Sequence, residues 1–382
     1  MRIKLLTLVL FTALDTHTGD GDRGMAARRR IIKALALVGI GVAASLLVSC
    51  EGADNDNKVD LSLLEWNGYQ QAEYHPEYNA KYGGQPAYAF FAQAEDALQR
   101  MRNGYQVDLV HLCAGQISVA RDGGLIKPLE IDRISRWGDI IPELLEVKGV
   151  HADGKYWFAP WDWGYSTVAY NPEIIEVENA TYDIFVDPRF KGKTALPSSI
   201  GINILIAGVI AGWADTQDPT DAEIAMAPAI FTKMLENARF VWTDGTQLEQ
   251  AWVAGDVGIS YVFGSASRRM KEEGIPIVVV KPLMTWLCGL SISTNSTASE
   301  DQVYDYLNAM LAPASGVALF DEYGYGHGNA KSINLIDPSR IEGTGVDDPV
   351  RLFSRGVFTS ALPPAKNARL YQLWFEAQAG LD

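Results

Sequence analysis

Apolar runs alternate with polar, helix-spaced segments from residue 59 onward, and the two periods predict most of the elements. Val59 to Trp66 reads as a first strand and Gln85 to Phe91 as a second, both rich in β-favouring and aromatic side chains, with a helix-like segment between them. Glu95 to Arg102 has helical spacing and stops before Gly104, after which Val107 to Leu112 reads as a buried strand. This β-α-β-α order predicts an α/β fold built on a mostly parallel sheet. The pattern breaks at the aromatic stretch Gly154 to Tyr165, which leads into a strand at Ser166 to Tyr170 and suits a crossing between two lobes.

A second alternating series follows. It comprises a strand at Lys193 to Leu196, helices at Ser199 to Trp213 and Ala222 to Leu235, a strand at Phe240 to Trp242, a helix at Thr246 to Ala254 and a strand at Val257 to Val262. Pro276 to Val280 and Trp286 to Ser293 read as further strands, Glu300 to Leu311 and Ser315 to Tyr323 as amphipathic helices, and Gly324 to Asn329 as a glycine-rich turn. Leu370 to Ala379 is the final predicted helix.

The first fifty residues follow other rules. From Met25 the chain carries Arg28, Arg29, Arg30 and Lys33, then an apolar stretch from Ala34 to Val48, then Leu47-Val48-Ser49-Cys50 before an acidic tether at 51–58. Residues 25–50 therefore read as a lipoprotein signal peptide: a basic head, an apolar segment short of the roughly 20 residues of a spanning helix, and a small residue before the cysteine. Cys50 becomes the lipidated N-terminus on this reading, and the protein faces the periplasm or the outer side of the cell membrane. Residues 1–24 fit neither segment, because Asp15, Asp20 and Asp22 break any apolar run, and Met25 offers a better start.

With 382 residues, 48% hydrophobic and 21% charged, the chain has the composition of a soluble globular protein with more than one ordinary core. The net charge of −15 understates the acidity of the exported part, since the basic residues concentrate in the signal segment. Such a field repels phosphate backbones and argues against nucleic-acid binding, while steering cations inward. No nucleophile elbow, phosphate loop or zinc-protease motif is present, and His75, His111, His151 and His327 are scattered without metal spacing, so neither an enzyme nor a cofactor is expected. Tyr323, Tyr325 and His327 raise iron(III) binding, which a glycine-rich hinge turn explains more simply.

Trp66-Asn67-Gly68-Tyr69 after the first strand, Asp108-Leu109-Val110 through Gly124-Leu125-Ile126, and Pro160-Trp161-Asp162-Trp163-Gly164 resemble, in order and spacing, the spermidine/putrescine-binding periplasmic proteins. Pro188 to Gly192 and Gly255-Asp256-Val257 continue the resemblance through the second series. It implies the two-lobed periplasmic-binding-protein type II fold, each lobe a mixed, mostly parallel sheet flanked by helices. Lobe 1 then comprises residues 59–165 and 287–326 and lobe 2 residues 166–286 and 327–382, with three hinge crossings near Trp163 to Ser166, Met284 to Trp286 and Gly324 to Asn329. It further implies a monomer that clamps a small organic solute of polyamine type between its lobes and hands it to a membrane permease of an ABC importer.

Carried over position by position, the resemblance puts Trp66, Asn67, Tyr69, Cys113, Phe263, Trp286 and Cys288 at the pocket. Ordinary core packing is the alternative for each aromatic. The family's acidic pair falls near Ser199 and Ile202, and its Trp-x-Asp becomes Trp286-Leu287-Cys288, so an ammonium lacks its usual partners here. Glu65, Asp162 and Asp244 could compensate, Asp162 being the best placed; each could equally be a solvated or capping carboxylate. The helix start at Ser199 offers backbone donors to an anion, with plain capping as the alternative, so a zwitterion such as an aminophosphonate, amino sulfonate or betaine is a second ligand reading. A sensor that presents solute to a membrane receptor is a second role. Cys113 and Cys288 map to one wall of one lobe and either form a disulfide or remain two buried thiols.

Overall fold

The computed structural model describes residues 59–381 apart from 343, 360 and 361, so the signal segment, the tether and Cys50 lie outside the described residues. In chain order the principal elements begin with β1 (Ser62–Trp66), α1 (Pro76–Tyr82), β2 (Ala87–Phe91), α2 (Ala94–Arg102), β3 (Leu109–Cys113), α3 (Ala114–Asp122) and β4 (Ala159–Tyr170). They continue with β5 (Thr194–Pro197), α4 (Ile200–Ala211), α5 (Ala227–Asn237), β6 (Ala238–Trp242), α6 (Gly245–Val253), β7 (Ile259–Phe263), α7 (Gly264–Glu272) and β8 (Met284–Ser293). Helices α8 (Glu300–Met310), α9 (Pro313–Tyr323) and α10 (Pro364–Ala379) complete the set.

Local chemistry accounts for these boundaries. Helix α2 buries Ala94, Ala97, Leu98 and Met101 on one stripe, and its acids Glu95 and Asp96 in the first turn and Arg100 and Arg102 in the last complement the helix dipole. Helix α1 begins at Pro76 and ends on Gly83, whose φ of 73° closes the last turn. Buried Asp108 fixes the start of β3. It accepts hydrogen bonds from the Ser62 backbone (2.8 Å) and hydroxyl (2.6 Å) and from the backbone of Thr297 and Ala298, which outweigh its burial and hold its carboxyl below the usual range.

The eight strands named above lie in one sheet in the order β2-β1-β3-β8-β4-β7-β5-β6, and His151–Ala152 and Lys155–Tyr156 form a separate two-stranded sheet. Strands β1, β2 and β3 are mutually parallel, as are β7, β5 and β6; β4 and β8 run antiparallel to each other, β4 antiparallel to β7 and β8 antiparallel to β3. Two hydrophobic cores lie along this sheet. The first takes residues from β1 to Trp163, the second half of β8, and α8 and α9; the second takes Val168 to Val280, with Met284, Leu370 and Trp374. Strand β4 thus passes from one core to the other between Trp163 and Val168, and β8 passes back between Met284 and Leu287.

Several expectations need correcting. The strand expected to begin at Ser166 begins at Ala159, within the aromatic stretch, because Ala159 to Gly164 is buried throughout between β8 and residues 326–327. The helix expected at Ala222 to Leu235 is broken after Ile224, where Pro228 in the first turn of α5 starts a new helix. The third crossing also comes later than Gly324 to Asn329. Gly326 and His327 pair with Trp163 and Asp162 of β4, the Trp163 indole donates to the His327 carbonyl at 3.0 Å, and Ile336, Ile341, Val346 and Leu352 bury in the first core. Residues 327–353, assigned from sequence to lobe 2, therefore pack with lobe 1; the chain reaches the second core beyond Phe353, where Val357–Phe358 pairs with the start of β8 and α10 docks through Leu370 and Trp374.

Candidate functional site

Where β1 and β3 end against β8 and β4, one face of the sheet carries a row of charged side chains inside apolar strands. Glu65 of β1, His111 of β3 and Asp162 of β4 are each almost fully excluded from solvent. The His111 ring bridges the two acids: Nδ1 lies 2.5 Å from Glu65 Oε1 and Nε2 lies 2.9 Å from Asp162 Oδ1. Burial opposes charge on this ring, but the charges of Glu65 and Asp162 and the bonds to both push its pKa up to about 10. Glu65 Oε1 also accepts from the Trp66 backbone at 2.8 Å, whereas Oε2 has no partner among the described residues, so no acceptor stands ready for a proton there.

With an imidazolium between two carboxylates the row sums to one net negative charge; burial raises the Glu65 carboxyl above its ordinary value, and the His111 charge and bond counter part of that. Moving the proton of the short Glu65–His111 bond from nitrogen to oxygen leaves that sum unchanged, because the two partners neutralise together. A buried ion pair of this kind needs both partners, because a lone charge in that position is costly.

Aromatic side chains cover the row. The Tyr69 ring meets His111 edge-on at 5.3 Å and Trp161 at 5.7 Å, and stacks on Tyr323 at 5.2 Å. Tyr323 stacks on Tyr325 at 5.4 Å, and Tyr325 meets Trp286 edge-on at 4.7 Å. Burial first, then the Asp162 charge, raise the Tyr69 hydroxyl well above its ordinary value, and the same charge acts on Tyr323 and Tyr325. Ser265 at the start of α7 reaches the Tyr325 hydroxyl at 3.0 Å, which ties the aromatic layer to a second-core element. Gly164 makes the layer possible: a β-carbon there would stand 2.8 Å from the Trp286 ring.

The residues selected from sequence divide on this geometry. Tyr69, Asp162 and Trp286 come together in the layered site. Trp66, half-buried at the end of β1, packs on Phe91 at 4.5 Å, and Asn67 is exposed in the turn that follows. Cys113 and Cys288 face each other in register across β3 and β8 and are joined as a disulfide, with Asp162 opposite Cys288 on the other side. Asp244 does not join them: it is exposed and caps α6, accepting from Thr246 N at 2.7 Å and Gln247 N at 3.3 Å. Ser199 likewise caps α4 through Ile202 N, and the Tyr371 hydroxyl takes Gly201 N, so protein groups already occupy donors at that helix start. Phe263 stands apart, 39% exposed and touching Tyr261 at 5.5 Å.

His111 escaped sequence reasoning, and Glu65 was singled out only as a possible ligand carboxylate. The available signal was a titratable residue set inside each of two apolar strands, Leu61-Ser62-Leu63-Leu64-Glu65 and Leu109-Val110-His111-Leu112. The iron(III) reading of Tyr323, Tyr325 and His327 meets occupied atoms. Tyr323 donates to Gly68 O at 2.9 Å, and both His327 ring nitrogens are engaged, by Ser332 Oγ at 2.7 Å and Met310 O at 2.9 Å, while burial pushes that ring down to about 4. A cavity of about 310 Å3 lies beside Tyr325, lined also by Trp163, His327, Ile333, Val346 and Asp347; it borders Tyr325 and His327 of the iron(III) reading and none of the residues that the resemblance puts at the pocket.

Comparison with known proteins agrees with this architecture. The chain is 21% identical over 364 residues to the putrescine-binding periplasmic protein PotF of Escherichia coli (strain K12), covering 89% of this chain and 96% of that protein. Two solved structures share the fold. The spermidine/putrescine ABC transporter substrate-binding protein PotD from Streptococcus pneumoniae has a TM-score of 0.70 at 17% identity, and the PBP MotA from A. tumefaciens B6 in complex with glucopine has 0.65 at 17%; each alignment covers 84% of this chain and 98% of the other. The two-lobed α/β binding-protein fold expected from sequence is thereby established. A family model matches residues 77–340, and the chain belongs to that family, the bacterial extracellular solute-binding proteins.

Proposed function

We propose that this protein is the solute receptor of an ABC importer and captures a small organic cation, the chemical class that includes the polyamines, between its two lobes. The observation that carries this reading is the aromatic layer Tyr69, Tyr323, Tyr325 and Trp286 resting on a buried row of net negative charge. Electron-rich ring faces attract cations, and a negative charge beneath them adds to the attraction in a partly desolvated site. The putrescine-binding relative and the spermidine/putrescine-transporter fold neighbour support the same class. An occupied helix start at Ser199 weakens the zwitterion reading, which needs free donors for the anionic end.

The partner on this reading is the membrane permease of the importer, and lipid on Cys50 holds the receptor near it. Isothermal titration of the purified protein with putrescine, spermidine, choline and γ-aminobutyrate tests the ligand class: one or more of the cations should bind, and the zwitterion should bind more weakly or not at all. Binding of the zwitterion alone overturns the proposal. Fractionation of cells that make the Cys50→Ser variant tests the anchor, with release from the membrane expected and undiminished retention counting against lipidation.

A further inference from the structure

The number of positive charges on the solute follows from how the acids of the site are used. Glu65 and Asp162 both point their carboxylates at His111, and neither is exposed by more than about a fiftieth of its side chain. Asp244 is bound to the start of α6. Cys113 and Cys288, on the same face of the sheet as this row, are closed on each other. Glu322 acts on the Tyr74 and Tyr323 hydroxyls from an exposed position, and Glu143 and Asp347, which border the cavity beside Tyr325, are exposed as well, so water and salt screen all three charges.

We propose that the Glu65–His111–Asp162 row makes this a receptor for monocations, solutes with one ammonium or quaternary ammonium group on an apolar body, and selects against diamines. The proposal rests on the cation reading above and narrows it. One net negative charge beneath the tyrosines is matched by one positive charge above them. A second ammonium drawn into the closed cleft would lose its water without a carboxylate to meet it, since both buried acids are held by the imidazolium. The apolar remainder of a monocation lies against ring faces instead, where burial is favourable. In a partly buried site, one unmatched unit charge corresponds to more than about tenfold in affinity.

The test is a titration of the full-length protein at pH 7.5 with matched pairs: butylamine against putrescine, and choline against its neutral isostere 3,3-dimethylbutan-1-ol. The proposal expects butylamine to bind at least about tenfold tighter than putrescine, and choline at least about tenfold tighter than the neutral alcohol. In the double variant Glu65→Gln/Asp162→Asn, where nothing holds the extra proton on His111, choline should weaken at least about tenfold while the alcohol keeps its affinity. Putrescine binding as tightly as butylamine, or tighter, overturns the monocation inference and leaves the cation receptor standing. Absence of binding by all of the cations overturns both. Equal weakening of choline and the alcohol in the variant assigns the row a packing role and refutes the inference; should the variant fail to fold, the pairs measured on the unaltered protein decide.

Discussion

Breaking the Cys113–Cys288 disulfide perturbs the fold at the floor of the site and can be sized from the chain alone. The bond links residues 175 positions apart, so in the unfolded state it closes a loop that contains the second core apart from Leu370 and Trp374. The chain-entropy relation gives ~5 kcal/mol for a loop of that size, while removing native disulfides commonly costs ~2–5 kcal/mol. With an unfolding entropy of ~2.1 cal/mol/K per residue over roughly 320 residues, this corresponds to a fall in melting temperature of ~3–8 °C. The measurement is differential scanning calorimetry of the Cys50→Ser protein, with and without a reductant, beside the variant Cys113→Ala/Cys288→Ala. Oxidised Cys50→Ser protein should show no free thiol after denaturation. Two free thiols in that unreduced sample, or a melting temperature that reduction leaves unchanged, would refute the reasoning: the first removes the bond, the second its effect on the unfolded chain.

Other consequences are simpler to state. The His111 pKa, raised from 6.5 to about 10, means that the folded state keeps a proton the unfolded state has lost between those values. The stabilisation is thus complete below pH 6.5 and is lost progressively as pH rises toward 10. Urea unfolding at pH 7, 8 and 9 should show that decline, and equal stabilities at the three would contradict the doubly bonded imidazolium. Asp244→Ala removes a helix cap and should cost about 1 kcal/mol of stability with ligand affinity unchanged; a loss of affinity would return Asp244 to the pocket. Gly164→Ala drives a methyl group against the Trp286 and Tyr325 rings, 2.8 and 3.3 Å away, and should cost ~1–3 kcal/mol of stability together with cation binding. Gly164→Ala protein that binds and melts like the unaltered protein would show that the aromatic layer is not in the ligand's path.

The fold was legible because hydrophobic period and punctuation agree over most of the chain. Strands β1, β2 and β3 and helices α2, α4, α6 and α8 lie within about three residues of where periodicity puts them. The failures have physical causes. Strand β4 buries every residue from Ala159 to Gly164, so it shows no alternation, and its tryptophans read as a crossing. Helix α7 turns only Gly264, Ser267 and Met270 inward, which leaves too faint an apolar stripe to register. The late third crossing was hidden because residues 327–353 hold to the first core largely through single apolar anchors and a two-residue strand.

At the site, type and partner part company. Sequence reasoning selected Asp162 and Glu65 because acids near aromatics suit a cation, and selected Cys113 and Cys288 from their places on one wall. Whether an acid meets a ligand or an internal base depends on what lies across the sheet, and His111 is 46 residues from Glu65 and 51 from Asp162. Periodicity assigns all three to strand interiors without saying that β1, β3 and β4 present them to one another, because the antiparallel β8 is inserted between β3 and β4 from far along the chain. The pairing changes the chemistry rather than its position. Two free carboxylates under an aromatic wall would favour a diamine, whereas on the monocation proposal the same carboxylates closed on an imidazolium leave one charge for the solute to match, so that a single proton carrier would separate two ligand classes within one fold.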